Sequence, residues 1–193
     1  NSPTQIVAEI STESGQVDFS AAVIQAKQSG ADALFAYTNE EESARLLREL
    51  RKQAWNKPVI GETVLTSAKV VELAGEAANG AVAHVGLTVE APQLQAWGKK
   101  FQAAYNTSSD HNGVKGYTGV YVLKAAIEKA GKVDRKAAAA AIRNSCFTAK
   151  QYPGVLMDVC FDDKGDLDRE SYLTTVVNGK QVVSEILPPV NKK

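Results

Sequence analysis

The chain is poor in the residues that usually carry chemistry. Its 193 residues include two histidines, His84 and His111, and two cysteines, Cys146 and Cys160. The glycine cradles that hold phosphate, GxGxxG and the P-loop, are absent, and so are the GxSxG elbow and the HExxH zinc helix. A Ser-His-Asp arrangement would have to rest on one of two histidines far apart in sequence. His84 lies within a run of small apolar residues and reads as a hydrogen-bonded core histidine. His111 lies in a polar loop and reads as solvated. The cysteines form no CxxC pair, and their spacing with the histidines fits no zinc pattern. They pair as a disulfide if the chain is exported, or else stay as two buried thiols.

An excess of either charge is also lacking. Lys and Arg number 22, Asp and Glu number 22, and no basic stripe stands out, which argues against nucleic acid and anionic membrane as partners. No apolar run approaches the length needed to cross a bilayer. The chain opens on polar Asn1-Ser2-Pro3 with no signal-peptide pattern, as a mature or truncated chain would. What it does have is apolar mass: hydrophobic residues make up 44%, enough for a core, and the length suits one large domain or parts of two.

The first third alternates. Gln5–Ser11 has strand character. After a Gly15 turn, Asp18 is placed to cap a helix whose shared face carries Phe19, Ala22, Val23 and Ala26. Ala33–Tyr37 is a short continuous apolar run, the pattern of a strand buried on both sides. Asn39 and Glu42 have capping-box spacing ahead of a helix with an inner stripe of Leu47, Leu50 and Ala54. Strands follow at Pro58–Ile60 and Ala81–Leu87, separated by a short helix that ends near Gly75. This order predicts a parallel sheet with right-handed crossovers, entered without an opening strand-helix unit.

Helices then dominate. One begins near Pro92 and carries Leu94, Trp97, Phe101 and Ala104 on one face. The next, Val114 to Ala130, is apolar almost all round, which predicts burial between layers. Asp134 caps a third. Val155, Met157, Val159 and Phe161 alternate as a strand does, and Asn178-Gly179 is a hairpin signal between two further strands.

The Asp162–Asp168 cluster superficially suggests calcium, but Gly165 is out of register for an EF-hand, so a solvated strand turn is the better reading. Asn106-Thr107-Ser108 matches a glycosylation sequon. The acidic loops are more informative. Glu40, Glu41 and Glu42 occupy a first helical turn, where negative charge suits the helix dipole. These residues and Glu62 also follow strand ends, where open α/β sheets bind ligands. Carboxylates there would repel an anion and welcome an ammonium group, with Tyr37, Thr38, Asn39 and Thr63 adding hydrogen bonds.

The segments ADALFAYTNEEESARLLRELRKQ, KPVIGETVLTS and VVELAGEAANGAVAHV resemble the type I periplasmic solute-binding proteins of ABC importers, most nearly the branched-chain amino-acid subfamily. FQAAYNTSS, GYTGVYVLKAAIEKAG, PGVLMDVCFDDKGD and YLTTVVNGKQVV continue the match in the same order over nearly the whole chain. The resemblance implies a three-layer α/β fold, a parallel sheet with flanking helices, in which two lobes close on a solute and most of the first lobe is missing. Residues 1–88 would be the core of the second lobe, 89–170 a segment returning to the first, and 171–193 the closing hairpin of the second. Hinge strands would lie near Val85–Glu90 and Phe161–Tyr172.

The same resemblance places solute contacts at Tyr37, Thr38, Asn39 and Glu40 and an ammonium-binding acid in the Glu62-Thr63 loop. It implies a small-molecule solute, a branched-chain amino acid or related acid or amide, an ABC permease as partner, a periplasmic location, no cofactor and no catalysis. Rival readings are a ligand-sensing receptor or regulator of the same fold and a flavodoxin-like α/β enzyme. Without the first lobe, apolar helix faces at 92–106 and 114–130 would be uncovered, so self-association and little amino-acid affinity are expected.

Overall fold

The computed structural model describes residues 4–190. Its contacts divide the chain into two compact units. One holds the chain up to Val85 together with Leu173–Glu185, and the other holds Gly86–Tyr172 together with the chain from Ile186.

The first unit is an α/β sheet. Helix α1 (Ser20–Gln28) leads to strand β1 (Leu34–Ala36), helix α2 (Glu40–Lys52) to β2 (Val59–Glu62), and helix α3 (Ala68–Ala74) to β3 (Val82–Val85). β1 pairs parallel with β2 (Leu34 opposite Val59), and β2 pairs parallel with β3 (Ile60 opposite Val82). Two late strands, β7 (Ser171–Val177) and β8 (Lys180–Leu187), complete the five-stranded order β1-β2-β3-β7-β8. They meet at Asn178 and Gly179, whose positive φ of 50° and 71° is what a two-residue hairpin turn requires.

The core of this unit lies on one face of the sheet. Ala36, Val59, Ala83 and Val85 are buried, with Leu47 and Leu50 of α2 and Val70 of α3. Phe19, Val23 and Ala26 of the first helical segment are buried too, as their spacing predicted. The opposite face is bare. Phe35 is 68% exposed, Ile60 38%, and His84 lies in the open. Two expectations fail here for one reason. Ala33–Tyr37 is not a strand buried on both sides, and His84 is not a core histidine, because no helix covers that face among the described residues.

Other local expectations also need correction. Residues 5–11 form no strand: they run beside no partner, and Ile6 is 80% exposed. Helix α1 has Phe19 rather than Asp18 at its N-cap, although the Asp18 carboxylate still accepts the Ser20 N–H at 2.8 Å. Asn39 caps α2 by backbone position without a side-chain bond, so the capping box does not form. Ala54 falls beyond the end of α2 in a left-handed conformation, φ 56°, and leaves the inner stripe.

In the second unit a 3-10 turn at Pro92–Leu94 runs into helix α4 (Gln95–Tyr105), followed by α5 (His111–Ala130) and α6 (Arg135–Ile142). The Asp110 and Asp134 carboxylates cap α5 and α6 by accepting the Gly113 and Ala137 N–H groups at 2.9 and 2.8 Å. His111 opens α5 and is half-buried rather than loop-borne. Strands β4 (Ser145–Phe147), β5 (Val159–Phe161) and β6 (Leu167–Asp168) form a small antiparallel sheet.

The core of this unit joins Val122, Ala125 and Ala126 of α5 to Phe147, Val155 and Val159. Helix α5 is thus buried along one face only. Val120 and Leu123, 67% and 51% exposed, correct the expectation of burial all round. Between β5 and β6 the Asp162 carboxylate accepts the N–H groups of Lys164 and Asp166 at 2.9 and 2.8 Å, so the acidic turn binds itself.

Cys146 and Cys160 sit opposite each other in the β4–β5 register and form a disulfide. With a sequence separation of 14, the bridge closes a short loop. Its reduction should lower the unfolding free energy by about 3 kcal/mol on the chain-entropy account, measured as the urea midpoint with and without dithiothreitol. Gly154 is a second sensitive point, since a β-carbon there would overlap the Tyr121 ring. Gly154→Ala should cost about 1–3 kcal/mol by overpacking, read from the same urea curves.

Candidate functional site

A cavity of about 240 Å³ lies in the first unit, at the carboxyl ends of β1 and β2. Its walls come from three loops. Ala36, Tyr37, Thr38 and Asn39 follow β1 into α2. Glu62, Val64 and Leu65 follow β2. Thr12, Glu13 and Ser14 come from the segment before α1. Crevices outside the carboxyl ends of strands are the usual ligand position in open α/β sheets.

The geometry depends on packing beneath the loops. Gly61 is buried, and a β-carbon there would lie 2.7 Å from the Ala36 carbonyl oxygen and 2.8 Å from Leu65 Cδ2. Glycine therefore lets β1, β2 and the 3-10 turn Thr63–Thr66 close together, which brings Glu62 to the cavity. The turn is held from behind by a buried hydroxyl pair, Thr66 Oγ1 to Thr174 Oγ1 at 2.8 Å. Gln181 Nε2 donates to the Thr66 carbonyl and hydroxyl at 3.0 and 2.9 Å.

The sequence-predicted residues divide. Tyr37, Thr38, Asn39 and Glu62 line the cavity. Tyr37 is 77% exposed, while the Thr38 hydroxyl is hydrogen-bonded to the buried Ser43 hydroxyl at 2.8 Å. Glu40 and Thr63 are not on the lining. The Glu40 carboxylate instead accepts the Ser67 hydroxyl at 3.1 Å, and Thr63 is 6% exposed within its turn.

Sequence reasoning missed Thr12, Glu13 and Ser14, because Gln5–Ser11 was read as a strand and the loop after it carries no motif. It also missed the role of Glu42. That carboxylate accepts the Gly15 N–H at 2.6 Å and fixes the loop against the start of α2. The Arg45 guanidinium donates to the Gln16 carbonyl at 3.0 Å and secures the same loop.

The lining includes the carboxylates of Glu13, Glu42 and Glu62 and no Lys, Arg or His. Hydrogen bonding to Gly15, with smaller contributions that include the Arg45 charge, holds the Glu42 carboxyl below its usual range. It therefore stays ionised and committed to the protein. An ammonium group matches the charge of such a wall, and a carboxylate opposes it.

The first unit is thus an open α/β sheet with a cavity at its strand ends. The family model for periplasmic binding proteins matches residues 2–181, and the chain belongs to that family. The Leu/Ile/Val-binding protein BraC3 of Rhizobium johnstonii is 29% identical over 171 residues, which is 88% of this chain and 45% of that protein. A leucine-, isoleucine-, valine-, threonine- and alanine-binding protein of Pseudomonas aeruginosa is 27% identical, covering 79% of this chain and 40% of its own length.

Among solved structures, the leucine-binding protein LivK of Thermotoga maritima aligns with a TM-score of 0.77 at 23% identity, over 91% of this chain and 50% of that one. A solute-binding protein of R. palustris in complex with 4-hydroxybenzoate aligns with a TM-score of 0.79 at 19% identity, over 97% and 53%. The chain thus spans about half the length of the relatives it matches.

The depressed carboxyl of Glu42 sets a pH dependence. A carboxyl that is more acidic in the folded chain stabilises it above the ordinary glutamate value of about 4.3, and this stabilisation is lost as pH falls through the lower folded value. The melting temperature of Glu42→Gln should therefore fall below that of the unaltered chain at neutral pH. The gap should close in acid, in melts run from about pH 7 to pH 3.

Proposed function

We propose that this chain supplies one wall of an amino-acid site in an extracytoplasmic solute-binding protein of an ABC importer. The observation that carries the reading is the charge of the strand-end cavity, with Glu13, Glu42 and Glu62 on the lining and no cationic side chain. The Glu42 carboxylate is engaged by the Gly15 N–H, and Glu62 and Glu13 stand on the same lining, where an ammonium group would meet them beside Tyr37, Thr38 and Asn39.

Branched-chain amino acids are the favoured class, because both curated relatives are named for binding them. Some structural neighbours were solved with benzoates, but a bare carboxylate gains nothing from this wall. The solute's own carboxylate would be met by groups outside these 193 residues. Solute binding would then favour a closed form that a permease reads. The Cys146–Cys160 disulfide supports an oxidising, extracytoplasmic location.

With only one wall present, affinity should be weak, with a dissociation constant on the order of 1 mM. In ¹H–¹⁵N NMR titrations, leucine and isoamylamine should shift the amides of Tyr37–Asn39 and Glu62. Isovalerate and 4-hydroxybenzoate should not. Glu62→Gln should weaken the leucine response about tenfold, the loss of one charge-assisted hydrogen bond. A response to the carboxylates but not to the amines would overturn the reading.

A further inference from the structure

We propose that Asn178 is a spontaneous deamidation site and that the Asn79 side chain is the guard that slows it. The chain has three Asn-Gly pairs, Asn79-Gly80, Asn112-Gly113 and Asn178-Gly179. A glycine after asparagine puts no β-carbon in the way when its backbone nitrogen turns toward the asparagine Cγ. That nitrogen must lose its proton to attack. A hydrogen bond that holds the N–H therefore opposes the reaction twice, by keeping the proton and by fixing the nitrogen in place.

All three glycine N–H groups are engaged, but not equally. Gly80 donates to the Val176 carbonyl at 2.8 Å, a backbone bond beside that of Val176 to Ala81. Gly113 donates to the Asp110 carboxylate at 2.9 Å, and the same carboxylate accepts the Asn112 side-chain amide at 3.3 Å. Both reacting groups of that pair are thus tied inside the first turn of α5. Gly179 donates to a side chain instead, Asn79 Oδ1 at 2.9 Å, 100 positions away. The backbone of the guard is fixed, since its carbonyl accepts Arg51 Nη2 at 2.6 Å and its N–H bonds the Glu76 carbonyl at 3.1 Å. A single side-chain rotation of Asn79 frees Gly179 in an exposed turn, whereas the other two glycines wait for a strand to part or a helix to unwind.

Once released, the Gly179 nitrogen attacks Asn178 Cγ. A C–N bond forms, the Cγ–Nδ2 bond breaks, and ammonia leaves with the proton that the Gly179 nitrogen gives up. Water, the one co-reactant, then opens the cyclic imide. Cleavage of the new bond leaves aspartate in a normal backbone. Cleavage of the old peptide bond leaves isoaspartate, with Cγ in the main chain and one more backbone atom in the turn. A two-residue hairpin cannot take that atom and keep its register. The register is what sets Thr174 and Gln181 against Thr66, behind the loop that carries Glu62. The modification does not depend on the solute reading.

The test is timed incubation of the 193-residue chain in mildly alkaline buffer, followed by peptide mapping by mass spectrometry and enzymatic methylation of isoaspartate. The expected result is product at Asn178 before any at Asn79 or Asn112. Asn79→Ala should speed the loss of Asn178 about fivefold, the weight of one ordinary hydrogen bond. Asn79→Asp, which keeps an acceptor oxygen, should stay near the rate of the unaltered chain. Hydrogen exchange at the Val176 amide, bonded to Ala81, should be the same with and without Asn79→Ala. Product that appears first at Asn79 or Asn112 overturns the proposal. So does an Asn178 that survives as long in Asn79→Ala, or one lost equally fast in the alanine and aspartate variants. Faster exchange at Val176 overturns it too, because the acceleration then belongs to a loosened sheet. Absence of product at all three sites, while a synthetic peptide of residues 174–183 is converted, does the same.

Discussion

Between β1 and the turn after β2 there is room for a hydrogen atom and not for a methyl group. Gly61 occupies that point, with its missing β-carbon 2.7 Å from the Ala36 carbonyl oxygen. The close approach seats Leu65, 1% exposed, over the two strands. It sends Glu62 to the rim and places Thr66 where Thr174 and Gln181 can bond it. A larger residue would push β1 from β2 and the turn from both. The shape of the cavity thus follows from backbone packing several residues away from the groups that give it its charge.

The glutamates around the cavity have different duties although they share a chemistry. Glu40 bonds Ser67, Glu42 bonds Gly15, and Glu62 faces the cavity. Glu40 and Glu42 fasten the α2 start to neighbouring loops, the first through a serine hydroxyl and the second through a backbone N–H. Negative charge at the first turn of α2 also suits the helix dipole, so the fasteners add little strain to the helix they begin. Acidity at this wall is therefore partly structural.

Much of this was legible in the residues. The alternation from Phe19 to Leu87 fixed the parallel strands, Asn178-Gly179 fixed the hairpin, and Tyr37–Asn39 with Glu62 were placed at the strand ends. The errors share a cause. The apolar run around Phe35, the strand character of Gln5–Ser11, and His84 among alanines all suggest burial, because a sequence records what a side chain suits and not what covers it. The all-round apolar helix α5 failed in the same way at Val120 and Leu123. Glu40 and Thr63, expected at the site, lie off the cavity lining for a finer reason. A change of one position at a helix start or in a 3-10 turn swings a side chain to another neighbour, and sequence spacing does not resolve that. The Thr12–Ser14 wall had no signal, since its place depends on a bond between Gly15 and a glutamate 27 positions away.

The hairpin of β7 and β8 has a consequence in time as well as in space. Val176 bonds Gly80 and Ala81 at 2.8 and 3.0 Å, so the sheet that begins at Leu34 receives its closing strands from the far end of the chain. Contacts of such separation form late because a long loop must close before they are made. The sheet of the first unit accordingly stays unfinished until residues 171–187 have been made. The three parallel strands are thus made well before the hairpin that finishes their sheet.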